Sequence, residues 1–257
     1  MVDEKAPPEK QGLHGWKAAL AVFGCGTLAA FGVFGVLALI VGLFFRTTST
    51  GVAENADQVA GVEQTGTPRE ELSPGDLNVC GNYLPEISDV MIKETISSVD
   101  RDNAQEDGFQ AGGRREISGE CSFSIQPSYG VNSTSSRWTM DFSYHVIAFD
   151  PEGDRDEQAV RSFEEAASEA GLEGAGSLEV DDHSWAEVSR SFYGENESGE
   201  NRYVVVSRTR SAVYTFSFSG DRSDVNAGVV PKNDFQRQAA DVVQRMDNRF
   251  FLLIPER

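Results

Sequence analysis

The chain has 257 residues, with 41 acidic against 22 basic side chains and a net charge of −19 at pH 7. So much negative charge repels phosphate backbones and anionic headgroups, which excludes nucleic acid from the expected partners. Hydrophobic residues make up 39% of the chain, enough for one good core and a small second one.

A single apolar run, residues 18–45, contains no charged side chain in 28 positions. A helix of this length rises about 42 Å, enough to cross a hydrocarbon core of about 30 Å. Three lysines precede the run and one arginine follows it within the next twenty residues. Because positive residues favour the cytoplasmic side, we expect residues 1–17 inside and the large C-terminal part outside. The run ends without a small-x-small cleavage site, which favours an uncleaved signal anchor in the cytoplasmic membrane over a cleaved signal peptide.

Small residues lie on one face of this predicted transmembrane helix, within about 100° of arc: Ala21, Cys25, Gly32, Gly35 and Gly42. Small side chains let two helices approach closely, so this face is consistent with self-association or a membrane partner. Glycine is also common in membrane helices generally, and no strict Gly-x-x-x-Gly spacing decides between the two interpretations.

Residues 46–75 are rich in Thr, Gly, Glu and Pro and contain no aromatic residue. Such a segment cannot bury enough surface to offset the entropy of ordering it, so we expect a flexible stalk. A random coil of this length has ends about 30 Å apart on average. The folded extracytoplasmic domain is then predicted over 76–257.

The spacing of apolar residues in this domain alternates between helical and strand periods. Ile87, Val90, Met91 and Glu94 stand at helical spacing, which predicts a short helix after Pro85. The sequence "CSFSI", residues 121–125, predicts a strand with one buried face. A longer strand follows, with Trp138, Met140, Phe142, Tyr144 and Val146 on one face and Thr139, Asp141, Ser143 and His145 on the other.

The second half of the domain contains two predicted helices. The first is capped by Asp154 or Asp156 and ended by Gly171, and its apolar stripe is Ala159, Val160, Phe163, Ala166, Ala167 and Ala170. The last helix opens on a capping-box variant at Asn233 and Gln236, and its stripe is Phe235, Ala239, Val242, Val243, Met246 and Phe250.

Between these helices lie a strand at 184–194 and two β-rich runs that predict a hairpin around Arg210 and Ser211. The predicted order is helix, two strands, helix, three strands, helix. Adjacent strands with helices between their groups indicate an α+β domain, an antiparallel sheet covered on one face by helices.

The domain contains two cysteines, Cys80 and Cys121. Outside the cytoplasm such a pair favours a disulfide, which would stabilise the fold by about 4 kcal/mol on the chain-entropy estimate. A metal site or redox catalysis would require further ligands or a Cys-x-x-Cys spacing, and neither pattern occurs.

Other polar motifs favour structural interpretations. His183 stands in "EVDDHSW", which we interpret as a solvated turn before a strand, because metal ligands must converge from several segments. Residues 150–157, "DPEGDRDE", lack the calcium-loop spacing and are interpreted as a turn and helix cap. The sequence has no phosphate-binding glycine loop and no Gly-x-Ser-x-Gly motif. We therefore expect no metal or cofactor and assign no catalytic residue.

The stretch "NVCGNYLPEISDVMI", followed about forty residues later by "GECSFSI", carries a family resemblance. It is similar to a domain of unknown function in secreted lipoproteins and single-span proteins of actinobacteria, with a "Cys-Ser-Leu-Leu" helix opening and a later "Cys-Ser-Trp". Tyr83 and Phe123 stand where Leu and Trp are commoner, and a membrane span replaces the lipobox. The resemblance implies an extracytoplasmic domain, a Cys80–Cys121 bridge and no known enzymatic activity.

These observations predict a membrane-anchored, non-enzymatic binding or interaction module of the bacterial cell envelope. Its partner would be an envelope protein, a lipid or a small-molecule ligand. Two alternatives stay open: an extracytoplasmic hydrolase with an unrecognised acidic site, and a sensory ectodomain that acts through a membrane partner.

Overall fold

The structure is a computed structural model that describes residues 64, 66–87, 90–128, 138–172, 178–195, 199–220 and 230–256. These residues belong to one compact unit, Val59–Arg257. The predicted transmembrane helix over 18–45, with its small-residue stripe, and most of the predicted stalk lie outside the described residues. Within the described ranges, no helix is long and apolar enough to cross a membrane.

The described residues form a seven-stranded antiparallel sheet and two long helices, which confirms the α+β prediction. The strand order is β1-β2-β3-β7-β6-β5-β4. In chain order the elements are β1 (Met91–Asp102), β2 (Arg115–Gln126), β3 (Trp138–Phe149), α1 (Arg155–Leu172), β4 (Glu179–His183), β5 (Val188–Glu195), β6 (Asn201–Thr209), β7 (Ala212–Gly220) and α2 (Lys232–Leu253).

Helix α2 lies on one face of the sheet, over the main hydrophobic core. The predicted apolar stripes of β3 and α2 are buried there in full. The predicted capping box is wrong, because α2 begins at Lys232, after Pro231, and Asn233 is already inside the helix. Pro231 is the N-cap residue and its ring has no hydrogen-bonding group, so this helix starts without a side-chain cap.

Helix α1 packs on the opposite face, so the prediction that the helices cover one face is wrong. Ala159, Phe163, Ala167 and Ala170 form a second core with outward-facing apolar residues of β5, β6 and β7. Val160 lies at the margin of the predicted stripe and is 45% exposed. Asp154 caps α1 as expected, because its Oδ1 accepts hydrogen bonds from two backbone N–H groups of the first turn.

The N-terminal part of the domain differs from the prediction. The predicted helix with Met91 and Glu94 on one face is wrong, because both residues lie in β1, which begins at Met91. Among the described residues before it, single helical turns span Val79–Tyr83 and Leu84–Glu86. Pairing with β2 along its length makes this segment a strand. The short strand β4 was also not predicted. The hairpin turn at Arg210 and Ser211 is confirmed, with Arg210 at φ 53°.

The bond between Cys80 and Cys121 is formed, as predicted, and joins the first helical turn to β2. Asp100 reinforces this junction, since its carboxylate accepts hydrogen bonds from the backbone N–H groups of Cys80 and Gly81. The segment before Cys80 covers the core beside α2, with Leu72, Leu77 and Val79 buried.

Candidate functional site: a hydroxyl-lined groove

Among the described residues, nothing covers one half of the sheet face that carries α1. Strands β2 and β3 alternate over residues 117–126 and 138–145, so each residue on the α2 side there is followed by a polar residue on the other face. Helix α1 contacts β5, β6, β7 and part of β3. The uncovered polar residues of β2 and β3 are Ser118, Glu120, Ser122, Ser124, Thr139, Asp141, Ser143 and His145.

Strand register arranges these side chains in rows across β1, β2, β3 and β7. Directly opposite residues in a sheet face the same side. The rows are Arg101–Ser118–His145–Val213, then Val99–Glu120–Ser143–Thr215, then Ser97–Ser122–Asp141–Ser217. Hydroxyl groups therefore recur across four strands, with a few charged groups among them.

Two adjoining cavities lie along these rows. The larger, about 480 Å³, lies between the sheet and α1, where Ser162 and Ala166 form its wall. The smaller, about 280 Å³, continues towards Ser217 and Arg202. Glu120, Ser143 and Thr215 line both cavities. We refer to the two together as the hydroxyl-lined groove.

The groove contains both signs of charge. Arg202 donates from Nε to the hydroxyl of Ser217 at 2.9 Å. His145 lines the larger cavity, and its Nε2 lies 4.0 Å from the Glu116 carboxylate. Within the part of the chain that the structure describes, Arg101, Glu120 and Asp141 form no side-chain ion pair. A charged ligand group could therefore pair with these solvated side chains without first breaking an ion pair inside the protein.

The rings of β3 lie on the other side of the sheet. The Tyr144 hydroxyl donates to Asp100 Oδ1 at 2.6 Å, and burial together with that carboxylate raises the pKa of Tyr144. Gly119 makes this contact sterically feasible, since a Cβ there would lie 2.6 Å from Asp100 Oδ1 and 2.9 Å from the Val99 carbonyl oxygen. A partly buried hydrogen bond on the α2 side thus holds the strands that form the floor of the groove.

The prediction that His183 lies in a solvated turn is wrong. This histidine ends β4, stacks on Trp185 with ring centroids 3.8 Å apart, and its Nε2 lies 2.8 Å from the Ser191 hydroxyl. Ser191 is fully buried, so this serine–histidine contact does not present a nucleophile to substrate. The two adjacent aspartates point elsewhere, Asp181 to Lys232 and Asp182 to Arg190.

Residues 150–157 form a turn and a helix cap, as predicted. The Asp150 carboxylate accepts hydrogen bonds from Gln158 Nε2 at 2.7 Å and the Glu152 N–H at 3.0 Å, which hold its pKa below the usual value. Asp154 caps α1. Across the described residues, no group of three or more metal-ligating side chains is found.

Comparison with known protein families, curated proteins and solved structures gives no match for this chain. The groove itself was missed by sequence reasoning, although the polar face of β3 was identified correctly. The signal that could have found more of it is the alternating serine in "ECSFSI" and "YTFSFS". What joins these two stretches to Arg101 is the strand order, which no local pattern encodes.

Proposed function

We propose that this protein is a membrane-anchored, extracytoplasmic binding module that presents the hydroxyl-lined groove to a polar ligand of the cell envelope. The observation that carries the proposal is the uncovered polar half of the sheet, whose charges Arg101, Glu120 and Asp141 find no ion-pair partner in the described domain. An apolar run long enough to span a bilayer and a disulfide typical of oxidising compartments support the location.

Binding is favoured over catalysis by the composition of the groove. Hydroxyl groups both donate and accept hydrogen bonds, so a row of them can hold many polar groups without committing to one reaction. A nucleophile also needs a base within hydrogen-bond reach. The hydrogen-bonded serine–histidine pair, Ser191 and His183, lies outside the groove. Within the groove, Ser118 faces His145 across β2 and β3, but no hydrogen bond joins them among the described residues.

A hydrolase is the second candidate, because Glu120 and Asp141 line the smaller cavity together. A pair of carboxylates can supply a general acid and a general base. If the full-length protein turned over any member of a panel of simple esters and glycosides, and if Glu120→Gln and Asp141→Asn each abolished that turnover, the hydrolase would replace the binding module.

A topology experiment tests the location. A reporter enzyme that is active only outside the cytoplasm, fused after residue 60, should be active. The same reporter fused before the apolar run, at residue 10, should be inactive. The reverse pattern would place the domain in the cytoplasm and overturn the proposal.

Site-specific cross-linking tests the groove. A photo-reactive residue at Ser143, which is exposed on the groove floor, should form an adduct with the ligand in native membranes. The matched control is Glu165, an exposed position on α1 that does not line the groove. Identical adducts from both positions, or none from Ser143, would show that the groove is not the binding surface.

A further inference from the structure

We infer that the larger cavity of the hydroxyl-lined groove binds a small zwitterion, a free α-amino acid whose carboxylate meets Arg101 and whose ammonium meets Glu120. The inference rests on the proposed function, because it names the ligand class of the same groove. Both side chains line that cavity and both are exposed.

The register of β1 and β2 sets the spacing of the two backbone positions that carry these charges. Arg101 lies opposite Ser118, and Glu120 lies opposite Val99, so Arg101 and Glu120 are diagonal neighbours on one face. Diagonal neighbours in an antiparallel pair stand about 7–8 Å apart. Among the described residues, no ion pair joins Arg101 to Glu120. The ion pairs found there involve other side chains. A ligand with an ammonium and a carboxylate on one carbon can bridge such a gap and satisfy both charges.

The rest of the cavity matches a small amino acid. Hydroxyls of Ser118, Ser143 and Thr215 lie in the next positions of the same rows and can hydrogen-bond the carboxylate and ammonium groups. Val99 and Val213 add a limited apolar surface for a side chain. The volume of about 480 Å³ is within the range of small-molecule sites.

Other ligand classes fit the same cavity less well. A phosphate or other anion would meet Glu120 as well as Arg101, and like charges repel. A sugar is usually held against an aromatic ring, but the ring of Tyr144 packs on the α2 side with Phe142 and Phe250. Balanced opposite charges beside hydroxyls therefore favour a zwitterion.

Calorimetric titration of the detergent-solubilised full-length protein tests this ligand class. The probes are individual free amino acids from glycine to leucine, followed by the N-acetyl and the carboxamide derivative of the one that binds most tightly. Each derivative removes one ligand charge, and we expect each to weaken binding by about tenfold or more, which corresponds to at least about 1.4 kcal/mol.

Two variants assign each charge to its partner. With Arg101→Gln the protein should bind the free acid and the carboxamide alike, and with Glu120→Gln it should bind the free amine and the N-acetyl derivative alike. Such loss of discrimination is the expected signature of a broken pair. The matched controls are Arg161→Gln and Glu157→Gln, an exposed ion pair on α1 outside the groove, which should keep both preferences.

The outcomes separate this inference from the proposed function. If no free amino acid binds, or if both variants keep the wild-type preferences while unfolding at the wild-type temperature, the zwitterion assignment is wrong. A different ligand cross-linked at Ser143 would then still support the proposed binding function. Absence of any Ser143 adduct, with the reporter inactive at residue 60, would refute both.

Discussion

The two faces of the sheet are built from the same strands and differ in almost every property. On the α2 side, Phe142, Tyr214 and Phe216 pack with ring centroids 4.5–6.5 Å apart. On the other side, their immediate neighbours Ser143 and Thr215 line an open groove. Because neither hydrophobic core includes the polar half of the second face, its residues can serve the proposed binding without loss of core packing. The strand period of two is what separates the two tasks.

The boundary between the covered and uncovered parts of the second face falls within β7. Val213 packs under α1, whereas Thr215, two residues later, already lines both cavities. Neighbouring β6 continues the covered part with Val204 and Val206. Along this face of β7, Val213 therefore belongs both to the second core and to the wall of the larger cavity, whereas Thr215 belongs to the groove alone.

The largest expected contrast is between adjacent residues on opposite faces of β7. Phe216→Ala removes a fully buried ring and should lower the free energy of unfolding by about 3–5 kcal/mol. Thr215→Ala, on the groove side, should change it by no more than about 0.5 kcal/mol. Denaturant titration of the full-length protein in detergent measures both. Equal losses would contradict the division of tasks between the faces.

The disulfide belongs to the core on the α2 side. Removing it should lower the free energy of unfolding by an amount comparable to, or slightly smaller than, the effect of Phe216→Ala. Replacing both Cys80 and Cys121 by Ser should lower the free energy of unfolding by about 2–4 kcal/mol, because the unfolded chain loses a covalent constraint. Chemical reduction of the wild-type protein provides the control and should reproduce the loss. A reduced protein as stable as the oxidised one would contradict this.

A smaller effect is expected where the two faces meet. Gly119→Ala places a methyl group against Tyr144 and Asp100, and we expect a loss of about 1–3 kcal/mol from overpacking. The neighbouring Ser118→Ala, which faces the groove, is the matched control and should be nearly neutral. Unfolding by denaturant separates the two variants. If Gly119→Ala is also neutral, the Tyr144–Asp100 contact does not depend on this glycine.

The last contrast concerns the stability of the fold at acidic pH. Burial opposes the charged form of Asp102, yet hydrogen bonds from Arg115 and from the N–H groups of Gly75 and Ala104 outweigh it and lower its pKa. A lowered pKa stabilises the fold above the unfolded-state value of about 3.9. That contribution disappears as the pH falls through the lower folded-state pKa.

Asp102→Asn should therefore be less stable than the wild type at neutral pH, and the difference should shrink on acidification. The effect is modest because the amide oxygen can still accept from the two N–H groups. Urea titrations over a pH series measure it. The companion variant Arg115→Gln should move acid unfolding of the protein to higher pH. A wild-type advantage over Asp102→Asn that grows on acidification would contradict the expected direction of the pH dependence.

Sequence patterns predicted the elements that have one buried face. Strand β3 and helix α2 each bury one stripe, and their periods of two and 3.6 are visible in the sequence. Strand β1 is an edge strand that exposes most residues on both sides, so it shows no period, and Val90 and Met91 happened to stand at helical spacing. The signal against a helix was the β-branched content of "ETISSV".

Local patterns could give only part of the candidate groove. The polar face of β3 follows from alternation, and Asp141, Ser143 and His145 were assigned to it correctly. Bringing Arg101 and Thr215 to the same face requires the order β1-β2-β3-β7, which pairs strands more than sixty residues apart. The crossing of α1 to the opposite face from α2 also depends on tertiary packing of Phe163 and Phe192, which no single segment reveals.

The bond between Cys80 and Cys121 also determines how the domain bears a mechanical load. Strand β1 lies entirely inside the covalently closed loop between these two cysteines. Tension arriving from residue 64 would pass through Cys80 directly into β2, an interior strand with neighbours on both sides. An edge strand that is peeled loses its hydrogen bonds one at a time, whereas an interior strand resists with many bonds at once. If the chain is anchored on its N-terminal side, tension therefore reaches an interior strand of the sheet and leaves β1, with Arg101, in place.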